Sequence, residues 1–339
     1  MHNDTRLLAG VRVLDLSIWR PGPYATSLLV ALGADTLKVE PPGGDPMRHY
    51  AGLFETINRG KRSLELNLKD RGDQARAMEL ASEADVVIEG FRPGVMARLG
   101  LDDAAVRARN HGVVYCSISG YGQDDPRAAL PGHDVYYQAW AAALTPEEGA
   151  AATIPPLPVA DLAAGMTAAF GVCAALLGRA SSGRGTFLDV SMTDVLSTWT
   201  GRAGAGGGGD PVTVPGYGLF TTADGGQLSL GVLNEQHFWS GLCQVLELGE
   251  MADLDFAERT ERGTQLQGVV RAAIAGRKRD ELVSALADAG MPVAPVLTRT
   301  EMLSAMPFPA FPIRIPVLDP LPPVPALDEY HGQGFLPRG

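Results

Sequence analysis

Two short stretches, Pro131-Gly132-His133-Asp134 and Val159-Ala160-Asp161, place an imidazole and two carboxylates in segments that are otherwise apolar. Leu130-Pro131-Gly132 is a turn signal and Val135 to Leu144 is helix-like, so His133 and Asp134 fall at a helix start. Asp161 leads a second run, Leu162 to Leu177, too hydrophobic all round for a surface helix. Two readings of Asp161 follow from this placement. As an N-cap it would satisfy the first amides of a buried helix. As half of an acid/base pair it would face His133 across one substrate carbon. An imidazole with an ordinary pKa of about 6.5 exchanges protons near neutrality, whereas an aspartate, ordinarily about 3.9, needs an apolar setting to hold one. The backbone N–H of Asp134, at its helix start, is the candidate donor to an oxygen that gains charge during reaction.

The elements that must position these groups alternate regularly. Val11 to Leu16 reads as a strand, Arg20-Pro21-Gly22-Pro23 as a turn, and Tyr24 to Leu32 as a helix stopped by Gly33. Strands are expected at Thr36–Val39, Ser63–Leu68, Asp85–Glu89, Val113–Ile118 and Thr186–Met192, with helices near Gln74–Ser82 and Val95–Leu99. Apolar strands alternating with amphipathic helices mean a parallel sheet covered on both faces. The expected large α/β domain covers residues 1–200, with 317–339 returning to it, and a glycine-rich linker follows at 201–216. Gly204, Gly206 and Gly209 fit G-x-G-x-x-G, but no strand directly precedes them and Asp210-Pro211 stands where a helix should start, so this is no dinucleotide site. A smaller α+β domain at 217–306 opens with a hairpin through Ala223-Asp224-Gly225-Gly226, continues in helices and one strand, and leads into a second linker at 307–316.

Composition narrows the function classes. A chain of 339 residues, 45% hydrophobic with a net charge of -11, suits a two-domain globular protein and argues against nucleic acid as its main partner. Its three cysteines are far apart and no HExxH occurs, so no metal site is expected. Met1-His2-Asn3-Asp4 lacks the plan of a signal peptide, and the longest apolar run, broken by Gly165, Gly171 and Gly178, reads as a core helix rather than a membrane span. The expectation is a soluble cytoplasmic protein. The four tryptophans read as packing residues.

The order of the pieces resembles the class III coenzyme A transferase superfamily, which includes the α-methylacyl-CoA racemases. The resemblance runs from about Leu8 to about Pro316. It is carried by Gly10-Val11-Arg12-Val13-Leu14-Asp15-Leu16, Leu32-Gly33-Ala34-Asp35, Lys38-Val39-Glu40, Asn58-Arg59-Gly60-Lys61-Arg62-Ser63, Ile88-Glu89-Gly90-Phe91-Arg92-Pro93-Gly94, Ser119-Gly120-Tyr121-Gly122-Gln123 and Ser182-Gly183-Arg184-Gly185. Gly132-His133-Asp134 is similar to the racemase branch, in which the His and the later Asp, here Asp161, exchange protons at the α-carbon of a 2-methylacyl-CoA through an enolate. In the transferase branch the Asp matching Asp161 attacks the thioester and carries the acyl group as a mixed anhydride. The resemblance makes the racemase the leading expectation and the transferase the alternative, with a non-catalytic acyl-CoA-binding relative third.

It also implies an acyl-CoA thioester as substrate, no separate cofactor, and an interlocked homodimer whose two domains are joined by long linkers. Glu235, within Asn234-Glu235-Gln236-His237-Phe238-Trp239, matches a glutamate that supports the His from the partner subunit. Lys38, Gly90, Phe91, Arg92 and Arg98 match the family's CoA contacts, and Arg59, Lys61 and Arg62 are neighbouring basic residues.

Overall fold

A computed structural model of the protein describes residues 6–144, 152–201, 213–305 and 334–335. The chain divides into two compact units, Met1–Arg202 with Ala310–Gly339, and Ala203–Pro309. The expected linkers at 201–216 and 307–316 lie outside the described residues, apart from Gly201 and residues 213–216.

The first unit runs β1 (Arg12–Asp15), α1 (Pro21–Ala31), β2 (Asp35–Glu40), a 3-10 turn at Pro46–His49, α2 (Ala51–Asn58), β3 (Arg62–Glu65), α3 (Arg71–Glu83) and β4 (Val86–Glu89). It continues with α4 (Val95–Leu99), α5 (Asp103–Arg107), β5 (Val114–Ser119), α6 (Asp134–Trp140), α7 (Val159–Ser182), β6 (Phe187–Ser191) and α8 (Met192–Thr200). All six strands are parallel, in the order β3-β2-β1-β4-β5-β6. Both faces of the sheet are covered, which is why its strands read as apolar runs instead of alternating ones. Val13, Ile88, Cys116 and Val190 pack with α1 and α7 on one side. Leu14, Leu37, Val87 and Tyr115 pack with α3 and α5 on the other.

This strand order reverses between β1 and β4. Chains leaving the carboxyl ends of those two strands diverge to opposite sides, and the crevice between them is where such sheets bind ligands. Two loops flank it, Leu16–Arg20 after β1 and Gly90–Gly94 after β4.

Arg20-Pro21-Gly22-Pro23 is not a free turn. Pro21 opens α1 at its first position, where a missing amide costs nothing and the fixed φ suits a helix. Helix α7 is long and apolar enough to cross a membrane by length and composition. In this fold it lies along α1, β5, β6 and α8. At Gly165 it meets α1 tightly, since an added methyl would stand 2.6 Å from the Pro21 carbonyl oxygen and 2.9 Å from the Tyr24 ring. Away from α1, α7 leaves Met166, Phe170 and Leu177 exposed.

Of the tryptophans, only Trp239 is a buried packing residue; Trp19, Trp140 and Trp199 are 42%, 57% and 61% exposed. Two of the exposed indoles have polar partners, Trp19 edge-on to the His133 ring and Trp140 under the Arg127 guanidinium.

The second unit holds β7 (Tyr217–Thr221), β8 (Gln227–Gly231), α9 (Gln236–Val245), a 3-10 turn at Gly249–Met251, α10 (Phe256–Glu261), α11 (Gly263–Ala275), α12 (Arg279–Asp288), β9 (Val293–Pro295) and α13 (Arg299–Ala305). Its antiparallel sheet, ordered β7-β8-β9, packs against helices around Phe220, Leu230, Trp239 and Ile274.

Gly165→Ala should lower the unfolding free energy by about 1–3 kcal/mol, the usual cost of forcing atoms into a filled contact. Urea unfolding measures it, and an unchanged midpoint would mean that α1 and α7 separate freely.

Candidate active site

Helix α7 begins at Val159 after Pro158, which has no side chain able to cap it. Its first amides are satisfied from a distant part of the chain. Asp134 Oδ1 accepts the N–H groups of Ala160 at 2.8 Å and Asp161 at 3.1 Å, while Asp134 Oδ2 accepts from the Gln138 side chain. Asp134 therefore performs the capping that the sequence suggested for Asp161. The Asp161 carboxyl sits in the first turn of α7 and is not needed by the helix.

That carboxyl is half-buried. Burial, then the adjacent Asp134 charge, pushes its pKa up to about 7, against a downward pull from Arg20. Near neutrality it is split between a charged form able to attack or accept a proton and a neutral form able to donate one.

His133 caps α6 with extended backbone, its carbonyl accepting the Tyr136 N–H at 2.8 Å. Its ring is exposed and stands edge-on to Trp19, with centroids 6.4 Å apart. The Asp134 N–H has no hydrogen-bond acceptor among the described residues, as the sequence-based oxyanion donor requires. Tyr137, one turn along, is buried edge-to-face against Tyr121. Gly120 and Gly132 make room for it, since a methyl on either would lie under 3 Å from the Tyr137 ring. Burial, Tyr121 and Asp161 raise the Tyr137 phenol to about 12, opposed by Arg92. Tyr137 thus lies within electrostatic reach of both Asp161 and Arg92.

The loop after β1 reaches both candidate groups, Trp19 standing edge-on to His133 and the Arg20 charge acting on Asp161. Trp19 is held at φ +64°, a left-handed conformation that a bulky residue adopts only under constraint. The constraint comes from below. Lys38 Nζ donates to the Ser17 carbonyl at 2.7 Å and pairs with Asp45 at 2.9 Å. Asp45 Oδ1 in turn accepts from Trp19 N at 3.5 Å and Met47 N at 2.8 Å. Asp15 accepts the Ser17 amide and hydroxyl, the Thr26 hydroxyl and the Lys61 ammonium. Burial alone would raise the Asp15 pKa; Lys61 and Lys38, with Ser17 and Thr26, bring it well below the usual carboxylate range.

The proposed CoA contacts therefore fall into two groups. Lys38 is 1% exposed and engaged inside the fold, so it shapes the loop instead of presenting charge to a phosphate. Lys61 is likewise buried, and Arg62 and Arg59 pair with Asp35 at 2.6 Å and Glu55 at 3.1 Å. Arg62 also donates to the Gly334 carbonyl. Gly90, Phe91, Arg92 and Arg98, by contrast, line the carboxyl end of β4 beside the crevice. Arg92 and Arg98 are exposed, and neither has an ion-pair partner among the described residues. Phe91 N–H donates to Glu89 at 2.7 Å. Burial raises the Glu89 pKa to about 7.

Glu235 belongs to the second unit, where it stands at the N-cap position of α9 without a side-chain cap, its carboxylate accepting instead from Leu233 N at 3.1 Å. No group of three or more metal-ligating side chains occurs among the described residues. Sequence reasoning missed Arg20, Trp19, Tyr137 and Glu89. For Arg20 a signal existed, because an arginine just after the first strand of a doubly wound sheet stands at its crevice.

A doubly wound sheet with a raised-pKa carboxyl at a helix start and exposed arginines beside the crevice is the arrangement of an enzyme site. The comparisons agree. The CoA-transferase family III model matches residues 8–320, and the chain belongs to that family. It is 34% identical over 318 residues to an acetyl-CoA:oxalate CoA-transferase of Acetobacter aceti, covering 86% of this chain and 81% of the relative. It is 32% identical over 291 residues to a succinyl-CoA:mesaconate CoA-transferase of Haloarcula marismortui, covering 76% and 71%. The crystal structure of a CAIB/BAIF family protein from Brucella suis superposes with a TM-score of 0.83 at 27% identity, over 95% of this chain and 96% of that one. The two named relatives are CoA-transferases, which favours the transferase alternative over the racemase expectation.

Asp161 holds its proton more tightly folded than unfolded. Its stabilising contribution is complete below the unfolded carboxylate pKa and is lost as pH rises through about 7. Asp161→Asn has no charge to desolvate, so it should exceed wild type in stability by about 1–3 kcal/mol at about pH 8, the gap closing towards pH 4. Thermal melts across that range test the sign.

Proposed function

We propose that this protein is a class III CoA-transferase that moves CoA from an acyl-CoA thioester to a free carboxylic acid, with Asp161 as covalent nucleophile. The observation that carries the reading is the release of Asp161 from capping duty by Asp134, which leaves a carboxyl beside the crevice with no structural obligation. The names of the two relatives support it as well.

The chemistry follows from the bonds that must change. An Asp161 oxygen attacks the thioester carbonyl carbon, the C–S bond breaks, and CoA leaves as thiolate while Asp161 holds the acyl group as a mixed anhydride. Moving CoA, and not merely the acyl group, requires the thiolate to return to the aspartyl carbonyl and expel the donor acid. An acceptor carboxylate then displaces CoA from Asp161, forming a second anhydride. Thiolate attack at the acceptor carbonyl completes the exchange and frees Asp161. Developing oxyanions fall to the unengaged Asp134 N–H, worth on the order of 3 kcal/mol in comparable sites. Arg92 and Arg98 bind the CoA phosphates. His133, edge-on to Trp19, forms one wall of the acyl site, and the racemase reading would give it the α-proton instead.

The subunits are proposed to form the interlocked homodimer that the family resemblance implies. The exposed stripe of Met166, Phe170 and Leu177 on α7, with Trp140 and Trp199, supports this, since monomers seldom leave so much apolar surface in water.

Hydroxylamine should inactivate the enzyme only when an acyl-CoA is present, and Asp161→Ala should abolish both this trapping and turnover. Trapping that is absent with every acyl-CoA tried, together with α-deuterium uptake from deuterated water into 2-methylacyl-CoA, would overturn the transferase reading in favour of the racemase. A double Phe170→Glu, Leu177→Glu variant should elute as a monomer where wild type elutes as a dimer; equal light-scattering masses would remove the dimer argument.

A further inference from the structure

The reaction proposed above has a difficulty that Asp161 cannot resolve. The acceptor enters as an anion into a site already holding two carboxyl groups. Asp134 is committed to the α7 amides and to Gln138, so its charge is fixed in place. Like charges held close together in a half-buried site repel far more strongly than they would in water. A cation must therefore face this point.

The fold supplies one. Gly165 follows Asp161 by one helical turn on α7, and at Gly165 the helix touches the Pro21 carbonyl oxygen. Residues four apart lie on the same face of a helix, so the residue just before Pro21 stands level with Asp161. That residue is Arg20. Its charge acts on Asp161, and it is the only cation that does so appreciably among the described residues. Its backbone is fixed, the Arg20 carbonyl accepting the Tyr24 N–H at 2.8 Å. Its guanidinium makes no hydrogen bond or ion pair among the described residues, unlike Arg48 with Glu40, Arg127 with Asp125 or Arg179 with Asp85. The side chain is half-buried, and the strained Trp19 next to it is tied through Asp45 to the buried Lys38. A guanidinium carried on a fixed backbone yet unpaired suits a carboxylate ligand, which it meets with parallel N–H donors.

We propose that Arg20 seats the free carboxylate of the acceptor acid beside Asp161, an assignment that rests on the transferase reading. While Asp161 is a carboxylate, Arg20 faces it. Once Asp161 carries CoA as a thioester it is neutral, and the guanidinium is released to the incoming acid. One oxygen of the seated carboxylate attacks the aspartyl thioester carbon, the C–S bond breaks, and CoA departs as thiolate with the bonding electron pair. The thiolate then attacks the acceptor carbonyl and breaks its bond to the Asp161 oxygen, which returns to Arg20 as a carboxylate. The ligand class is a small carboxylic acid, recognised through the group that reacts.

The test uses the whole protein and separates the two half-reactions. The acyl-CoA that supports hydroxylamine trapping is supplied with its own 14C-labelled free acid, and label entering the thioester is followed at about pH 9, above the Asp161 pKa of about 7. In Arg20→Gln the KM for the free acid should rise at least about tenfold, while the rate of acyl-CoA-dependent trapping stays within about threefold of wild type. Arg20→Lys, which keeps the charge but loses the fork, should fall between the two and serves if the glutamine variant does not fold. An unchanged acid KM, or loss of trapping in parallel with exchange, would overturn the assignment, the latter placing Arg20 with Asp161 alone. Absence of trapping in wild type would instead sink the transferase reading itself.

Discussion

The site depends on one carboxylate holding the start of a helix to which it does not belong. Asp134 binds the amides of Ala160 and Asp161 across 26 and 27 residues of sequence. Three consequences follow from this one contact. It fastens α6 to α7, it satisfies donors that Pro158 cannot, and it places a fixed negative charge beside a second carboxyl. Helix amides favour an anion at this end, but Asp134 fills that role. Asp161 is left with the burial and the repulsion, and so acquires a pKa near that of an imidazole.

Beneath the site a second set of charges does scaffolding work. Asp15 and Lys38 stand opposite each other in the β1–β2 register, with Lys61 and Asp45 completing the pairing. Charges this deep are tolerable only when each is paired and hydrogen-bonded. Their partners include the Ser17 carbonyl, the Ser17 amide and Trp19 N, all in the loop after β1. Ionic pairing in the interior is thereby converted into rigidity at the crevice, where a strained Trp19 and an unpaired Arg20 are held against the reactive groups. At the next strand Glu89 makes a parallel connection, accepting Phe91 N–H at the root of the loop that bears Arg92.

The same constellation would suit proton transfer or acyl transfer, because a carboxyl near neutrality can act as acid, base or nucleophile. What tilts it to the second is the company kept by Asp161. A racemase gains nothing from a cation at its carboxyl, since the substrate α-carbon carries no second acid group. A transferase, as proposed above, must bring in an anion, and the unpaired Arg20 guanidinium acting on Asp161 answers that need.

Much of this was legible in the sequence. The β/α alternation and the apolar strands could be read from periodicity, because burial on both sheet faces demands such runs. The short helices α2, α5, α10 and α13 could not, since five to eight residues carry too little apolar pattern to stand out. His133, Asp134 and Asp161 were recognisable by residue type and by their position before apolar helices, as were Gly90, Phe91, Arg92 and Arg98 by motif. Their division of labour was not. A cap and a free carboxyl have the same chemistry, and only the packing of α6 on α7 assigns the amides to Asp134. Lys38 in sequence is one basic residue among several, yet its strand position opposite Asp15 turns it inward. Charge is a property of the chain; which partner neutralises it is decided when strands and helices distant in sequence are brought into contact.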